Sequence, residues 1–206
     1  MVPLVARRTW RGWQTAVVPA PRHSIYTVLY GVSCATASSC VAVGQFNWAV
    51  GGGASGGLAE QLVNGHWKST VLAQTPFGAT YAAVSCPTSM YCVAVGSSSA
   101  ASTIDRLVGT KWRAVTLPRS GFTELTAVSC PSRARGEAVS VTDDAGPPLA
   151  VVAITPGSAG PPAALEAPHS ATSMELSGIS CPRQQHCDPV GGDGDPAGAF
   201  GVVGSW

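Results

Sequence analysis

Apolar and β-branched residues fall in short runs along this chain, and the runs return in a fixed order. Residues 27–34, Thr-Val-Leu-Tyr-Gly-Val-Ser-Cys, are rich in β-branched and aromatic side chains and read as a strand. A polar loop at 35–39 follows. Cys40-Val41-Ala42-Val43-Gly44 is then apolar enough for a strand inside a stack of sheets. A Gly-rich turn at 51–57 leads to a third strand at 58–63. Asn64-Gly65 predicts a type I′ hairpin turn, because both central residues of that turn need positive φ. A fourth strand is expected at 66–72.

This order recurs. Val32-Ser33-Cys34 comes back as Val84-Ser85-Cys86, Val128-Ser129-Cys130 and Ile179-Ser180-Cys181, so the first Cys repeats after 52, 44 and 51 residues. The second unit continues through Cys92-Val93-Ala94-Val95-Gly96, a strand at 104–108, a Gly109-Thr110 turn and Trp112. The third has strands at 125–130, 137–141 and 149–154, then Pro156-Gly157 and a Pro/Ala-rich stretch without Trp. The fourth begins at 176–181 and loses the pattern after Cys187. Self-similarity at this period marks a repeat architecture whose units cannot bury an apolar face alone. No long stretch has helical periodicity. The expected fold is all-β, a β-propeller-like array of about four four-stranded antiparallel blades, complete or cut from a larger ring.

The units divide a single array over 1–206: a partial unit at 1–20, then 27–74, 79–118, 122–168 and 174–206, the last two degenerate. Residues 4–13 align with 58–67, so the chain starts inside a unit. Residues 13–18 are candidates for the outer strand missing after Trp206, which would close a ring and remove exposed edges. An extra third strand at 4–10 duplicates one near Phe200 and favours an arc over a closed ring.

Composition narrows the class. Hydrophobic residues make up 45% and charged residues 11%, enough for a core. A net charge of +1 gives no basic field for nucleic acid or an anionic membrane. No stretch is apolar and long enough to span a membrane as a helix. Residues 1–13 carry Arg7, Arg8 and Arg11 without an apolar core, so they are no signal peptide, and a signal lost by truncation is the expected reconciliation.

Cys34/Cys40, Cys86/Cys92 and Cys181/Cys187 are each C-x5-C and would staple the end of a first strand to the start of a second. Each staple is worth roughly 2 to 3 kcal/mol on the chain-entropy account. Three such pairs point to an oxidising compartment. The plainer alternative is buried free thiols, since Cys packs as a small hydrophobe. Gly136 stands where the third unit's second Cys belongs, leaving Cys130 as a free thiol, expected to be buried.

The phrase Leu-x-x-Val-Ser-Cys, five residues, Cys-Val-Ala-Val-Gly, then Asn-Gly-x-Trp resembles the repeat of secreted actinobacterial β-propeller proteins. Residues 27–74 and 79–118 carry it almost fully, and 122–206 in degraded form. The unit is more distantly similar to the blades of sialidases and photosystem assembly factors. The Asp-box of those blades, Ser-x-Asp-x-Gly-x-x-Trp, is missing, so nothing catalytic carries over. The resemblance implies an extracytoplasmic propeller with a binding or structural role, and fold alone does not fix function.

Candidate chemistry is thin. Gly53-Ala54-Ser55-Gly56-Gly57 matches G-x-S-x-G, but that nucleophile needs a strand-to-helix elbow. Cys181, His186, Cys187 and Asp188 could suggest zinc, yet the cysteines occupy staple positions. Gly191-Gly192-Asp193-Gly194-Asp195 has calcium-like carboxylates without the distal Glu, and with Asp143-Asp144 it reads as a turn. No metal or cofactor is expected. Trp13, Trp67, Trp112 and Trp206 recur at one repeat position and read as packing between blades. Trp10 and Trp48 are off that register, and Trp48 shares the longest loop with Phe46. Phe46, Trp48 and Trp10 are therefore the candidate ligand contacts. His23, His66, His169 and His186 are scattered, and Glu60, Asp105 and Asp143/Asp144 lie on or beside third strands without visible convergence. The expected protein is a monomeric, non-enzymatic, secreted or cell-surface module binding a protein or glycan through its loops. A propeller hydrolase using paired channel carboxylates and a decayed fragment without activity are the alternatives.

Overall fold

The computed structural model describes residues 2–48, 55–72, 78–98, 101–115, 117, 124–141, 149–165, 174–183, 186–193 and 201–203. Among them every regular element is a strand. A hairpin of β1 (Leu4–Thr9) and β2 (Gly12–Val17) comes first. Sheet one is β3 (Ser24–Thr36), β4 (Ser39–Trp48), β5 (Ser55–Val63) and β6 (His66–Val71). Sheet two is β7 (Ala79–Thr88), β8 (Tyr91–Ser98), β9 (Ala101–Val108) and β10 (Lys111–Ala114). Sheet three is β11 (Glu124–Ser129), β12 (Gly136–Val141), β13 (Leu149–Ile154) and β14 (Ala159–Ala164). The last unit is β15 (Met174–Arg183), β16 (His186–Asp193) and β17 (Gly201–Val203). Each unit is an antiparallel meander in chain order, and the pair Val141↔Glu175 links the third unit to the fourth. The protein is an all-β, propeller-like array of four-stranded blades.

The apolar phrases become the core because each buries against the next unit. Val41, Val43 and Ala59 of sheet one pack with Tyr81, Val84, Cys86 and Leu107 of sheet two. Val93, Val95 and Ile104 of sheet two pack with Leu125, Val128 and Val152 of sheet three. Val139 and Leu176 continue the stack, with Ile179 against them. Successive residues of β4, β8 and β12 are buried whichever face they point to, which is why these strands read as unbroken apolar runs.

A register shift sits at one place in every first strand: Leu29/Gly31, Tyr81/Ala83, Leu125/Ala127 and Leu176/Gly178. These bulges bring the first strand's backbone close to the second, and a Cβ on Gly44, Gly96 or Gly191 would meet the carbonyl oxygens of Val28, Thr80 and Glu175. The predicted Asn64-Gly65 turn has φ of 51° and 79°.

Three details differ from the sequence reading. The Pro/Ala-rich stretch after Pro156-Gly157 forms β14, which tolerates Pro161 and Pro162 because it pairs on one side only. The fourth unit keeps its second strand to Asp193. Residues 12–17 pair with β1 and not with the last unit. The strand expected after Trp206, and Trp206 itself, lie outside the described residues.

Candidate binding cleft

The serine of the recurring phrase holds the units together. Ser33 Oγ accepts the Cys86 amide, Ser85 Oγ the Cys130 amide and Ser129 Oγ the Cys181 amide, each at 3.0 Å. One unit's Ser thus bonds the next unit's Cys, three times over. The sequence carried this signal as the invariant Ser between an apolar residue and Cys, but no pattern rule assigns such a Ser a partner about fifty residues away.

The series has two ends. Val84 and Val128 are each 8% exposed under the preceding sheet, whereas Val32 is 64% exposed. Val43, Val95 and Val139 are fully buried under the following sheet, whereas Val190 is 42% exposed. Cys34 and Ser180, first and last of the Ser–Cys series, are likewise exposed.

At the first end a cleft of about 700 Å³ opens between the β1–β2 hairpin and the bare face of sheet one. Leu29, Val32, Ala42, Leu62 and Trp67 give it an apolar floor, and Tyr30 adds a hydroxyl. The hairpin wall contributes Leu4, Arg7, Arg8 and Gln14. The lining includes two guanidinium groups and no carboxylate. The hairpin aligns with β5–β6 as expected: Leu4↔Val17 and Thr9↔Gly12 match Leu58↔Val71 and Val63↔His66. It is therefore the outer half of a blade, and β1 has β2 as its partner and no other among the described residues.

The aromatic contacts expected from sequence part ways. Phe46 is fully buried. That corrects its reading as a surface contact: the ring lies against Gly56 and is buried, although it shares its face of β4 with the cleft-floor residue Ala42. Trp48 is half-buried and packs edge-on to Phe46, with ring centres 4.6 Å apart. Trp10 stands 87% exposed at the hairpin turn, with the Arg11 guanidinium 4.5 Å from its ring. These three residues do not line the cleft. Trp13, Trp67 and Trp112 share one register position opposite Arg8, Leu62 and Leu107. Trp112 packs between sheets one and two, Trp67 lines the cleft, and Trp13 is 70% exposed on the two-stranded hairpin.

Three disulfides, Cys34–Cys40, Cys86–Cys92 and Cys181–Cys187, join first and second strands. They match an oxidising environment. Cys130 is a buried free thiol, and burial pushes its pKa up to about 12, with the Ser85 hydroxyl opposing, so it is no nucleophile at neutral pH. Its sulfur fills the space a Cβ on Gly136 would take. Glu137, Cys181 and Cys187 bring donor atoms within 4.8 Å of one another, but both sulfurs are spent in a disulfide and offer no thiolate. Ser55-Gly56-Gly57 opens strand β5, so no nucleophile elbow forms there. Asp193 ends β16, while Gly53, Ala54, Asp143, Asp144, Gly194, Asp195 and His169 lie outside the described residues.

Two carboxylates are buried at one repeat position, Glu60 opposite Ala42 and Asp105 opposite Ala94. The third unit has Val152 there, opposite Ala138. Burial lifts Glu60 from its ordinary 4.5 to about 7, the Ser69 hydroxyl pulling the other way, and its oxygens make no well-formed hydrogen bond among the described residues. Burial also raises Asp105, against the lowering effect of the Tyr81 hydroxyl that donates to it. They sit on third strands of separate sheets and neither lines the cleft, although Glu60 shares its face of the sheet with the lining residues Ala42 and Leu62.

No protein-family model matches the chain, and no curated protein is similar to it. Several solved structures are, among them the following one. It is described as YCF48 bound to D1 peptide, and the likeness has a TM-score of 0.49 at 14% identity. It covers 92% of this chain and 55% of that one, so the chain spans about half of that protein's length. No helix of the described residues is long and apolar enough to cross a membrane.

Proposed function

We propose that this chain is a non-enzymatic, extracytoplasmic module that binds protein, taking an extended segment into the cleft between the β1–β2 hairpin and sheet one. The carrying observation is the cleft's construction: among the described residues one wall is a strand with a free edge, and the floor is the apolar face that the other junctions cover with strands. A free edge offers a row of main-chain donors and acceptors, and the floor offers places for alternate side chains. Arg7 and Arg8 favour an acidic residue in the bound segment. Secretion rests on the three disulfides. A hydrolase reading finds less support, because the buried carboxylates do not line the cleft. Exposed Trp10 keeps a glycan reading alive at a different place, the hairpin turn.

Selection of displayed random peptides tests this. The expected binders alternate apolar and polar residues, lose affinity at least tenfold on Val32→Asp, and keep it on Trp10→Ala. Binders indifferent to Val32→Asp would overturn the cleft. Binding to a glycan array lost on Trp10→Ala would move the site to the turn.

A further inference from the structure

The two bare ends of the array are the two halves of one junction. Inside the molecule that junction is built three times from the same parts: the second valine of Cys-Val-Ala-Val or its equivalent, the apolar residue of the next unit's Val-Ser-Cys, and the Ser–Cys bond. Val43 packs in the same cluster as Val84, and Val95 in the same cluster as Val128. Val139 and Ile179 form the third pair. Register places Val190 where Val43, Val95 and Val139 stand, and Val32 where Val84 and Val128 stand. The last unit therefore presents Val190 and Ser180, and the first presents Val32 and Cys34, with no neighbouring unit packed on them among the described residues.

The geometry points to head-to-tail association with a second copy of this chain, the last unit of one copy docking on the first sheet of the next. This rests on the reading of the cleft as a place for strands, and it names the partner. Val190 of one copy meets Val32 of the other, and Ser180 Oγ accepts the Cys34 amide, so an interface that recurs through the molecule simply continues across the boundary.

The hairpin supplies the remainder. The docked unit brings a first and a second strand, β15 and β16, and β1–β2 is already a third and fourth strand in matching register. In sheet one Val41 lies opposite Gln61 and Val43 opposite Ala59. Transferred to the composite blade, those pairs become Asp188 opposite Arg7 and Val190 opposite Val5. An opposite-charge pair thus falls directly across the strands, where it is stabilising. The competitor for this edge is β17, which holds it over three pairs only, Val190↔Val203 to Gly192↔Gly201. The contact is heterologous, each copy using a different surface, and the proposed closure is at two copies, a ring of eight blades within the usual range.

The test is mass by light scattering across a concentration series of the full chain, under oxidising conditions. The expected result is a species of two copies, with Val32→Asp and Val190→Asp each reducing it to one. Both residues are exposed, so both variants should keep the three disulfides and the strand signal in circular dichroism. An equimolar mixture of the two variants should recover a two-copy species, because each retains the surface the other has lost. Arg7→Glu should weaken association, and mixing it with Asp188→Arg should restore it. A single-copy mass at every concentration overturns the proposal, as does a dimer that the mixture fails to restore, since a symmetric interface uses one patch twice. If the chain stays single but selected peptides still bind in a Val32-dependent way, the strand-binding cleft stands and only its partner is wrong. If neither occurs, both fall.

Discussion

Sheets two and three share strand order, bulge position and the Ser–Cys bond to the preceding unit, yet differ in two buried parts. Sheet two has the Cys86–Cys92 disulfide and buried Asp105, whereas sheet three has Cys130 facing Gly136, and Val152 in the carboxylate's place. Despite this the third sheet keeps its core: Leu125, Ala138 and Val152 are as buried as their counterparts. The comparison teaches that the staple is an addition to each blade and not its foundation. What defines the blade is apolar contact with its neighbours, because a meander of four strands cannot bury both its faces alone.

Replacing Cys86 and Cys92 together by Ser should cost about 2 kcal/mol from the lost staple, with a further cost from placing hydroxyls in the core. Gly136→Cys should recover a comparable gain in sheet three, provided the Cys130 sulfur rotates out of the space it now fills. Denaturant unfolding with and without reductant measures both, and a Gly136→Cys protein whose stability ignores reductant would show that sheet three cannot accept the staple. A smaller effect belongs to the shared bond: Ser85→Ala should cost about 1 kcal/mol, and an unchanged midpoint would remove the Ser–Cys series from the account of how blades join.

The remaining effect concerns the carboxylate position and depends on pH. Glu60 is raised from 4.5 to about 7, so between these values the folded chain holds a proton that the unfolded chain has released. Stability attributable to this group is then full below about 4.5, declines as pH rises towards 7, and is level above. Melting temperatures between pH 4 and 8 should fall in the wild type and fall less in Glu60→Gln. Equal slopes would mean the carboxylate reaches water when folded.

Much of the fold was legible because one phrase occurs four times and strand periodicity surrounds it. Disulfide pairing followed from C-x5-C spacing once the flanking runs were read as adjacent strands. Strand β14 was not legible, since Pro161 and Pro162 argue locally against a strand and only the one-sided pairing on β13 permits them. Phe46 misled for a related reason: loop-like surroundings suggested exposure, while its fate was set by Gly56 opposite, whose missing side chain leaves room for the ring to lie down on the sheet. The cleft was hidden for a deeper reason. It arises because the described residues place no full sheet over the face of sheet one, and no window of sequence displays which faces stay uncovered.

The buried sulfur of Cys130 has a use that its inertness creates. Among the described residues the main contacts of each unit are with the units beside it, so opening should spread inward from the ends as in a one-dimensional chain. Cys130 sits at the middle junction, unreactive until that junction parts. Its rate of alkylation therefore times the opening of the array's centre, and amide exchange in the hairpin times the fraying of its edge. The interval between those two clocks measures how far a disturbance at one end is felt along the row.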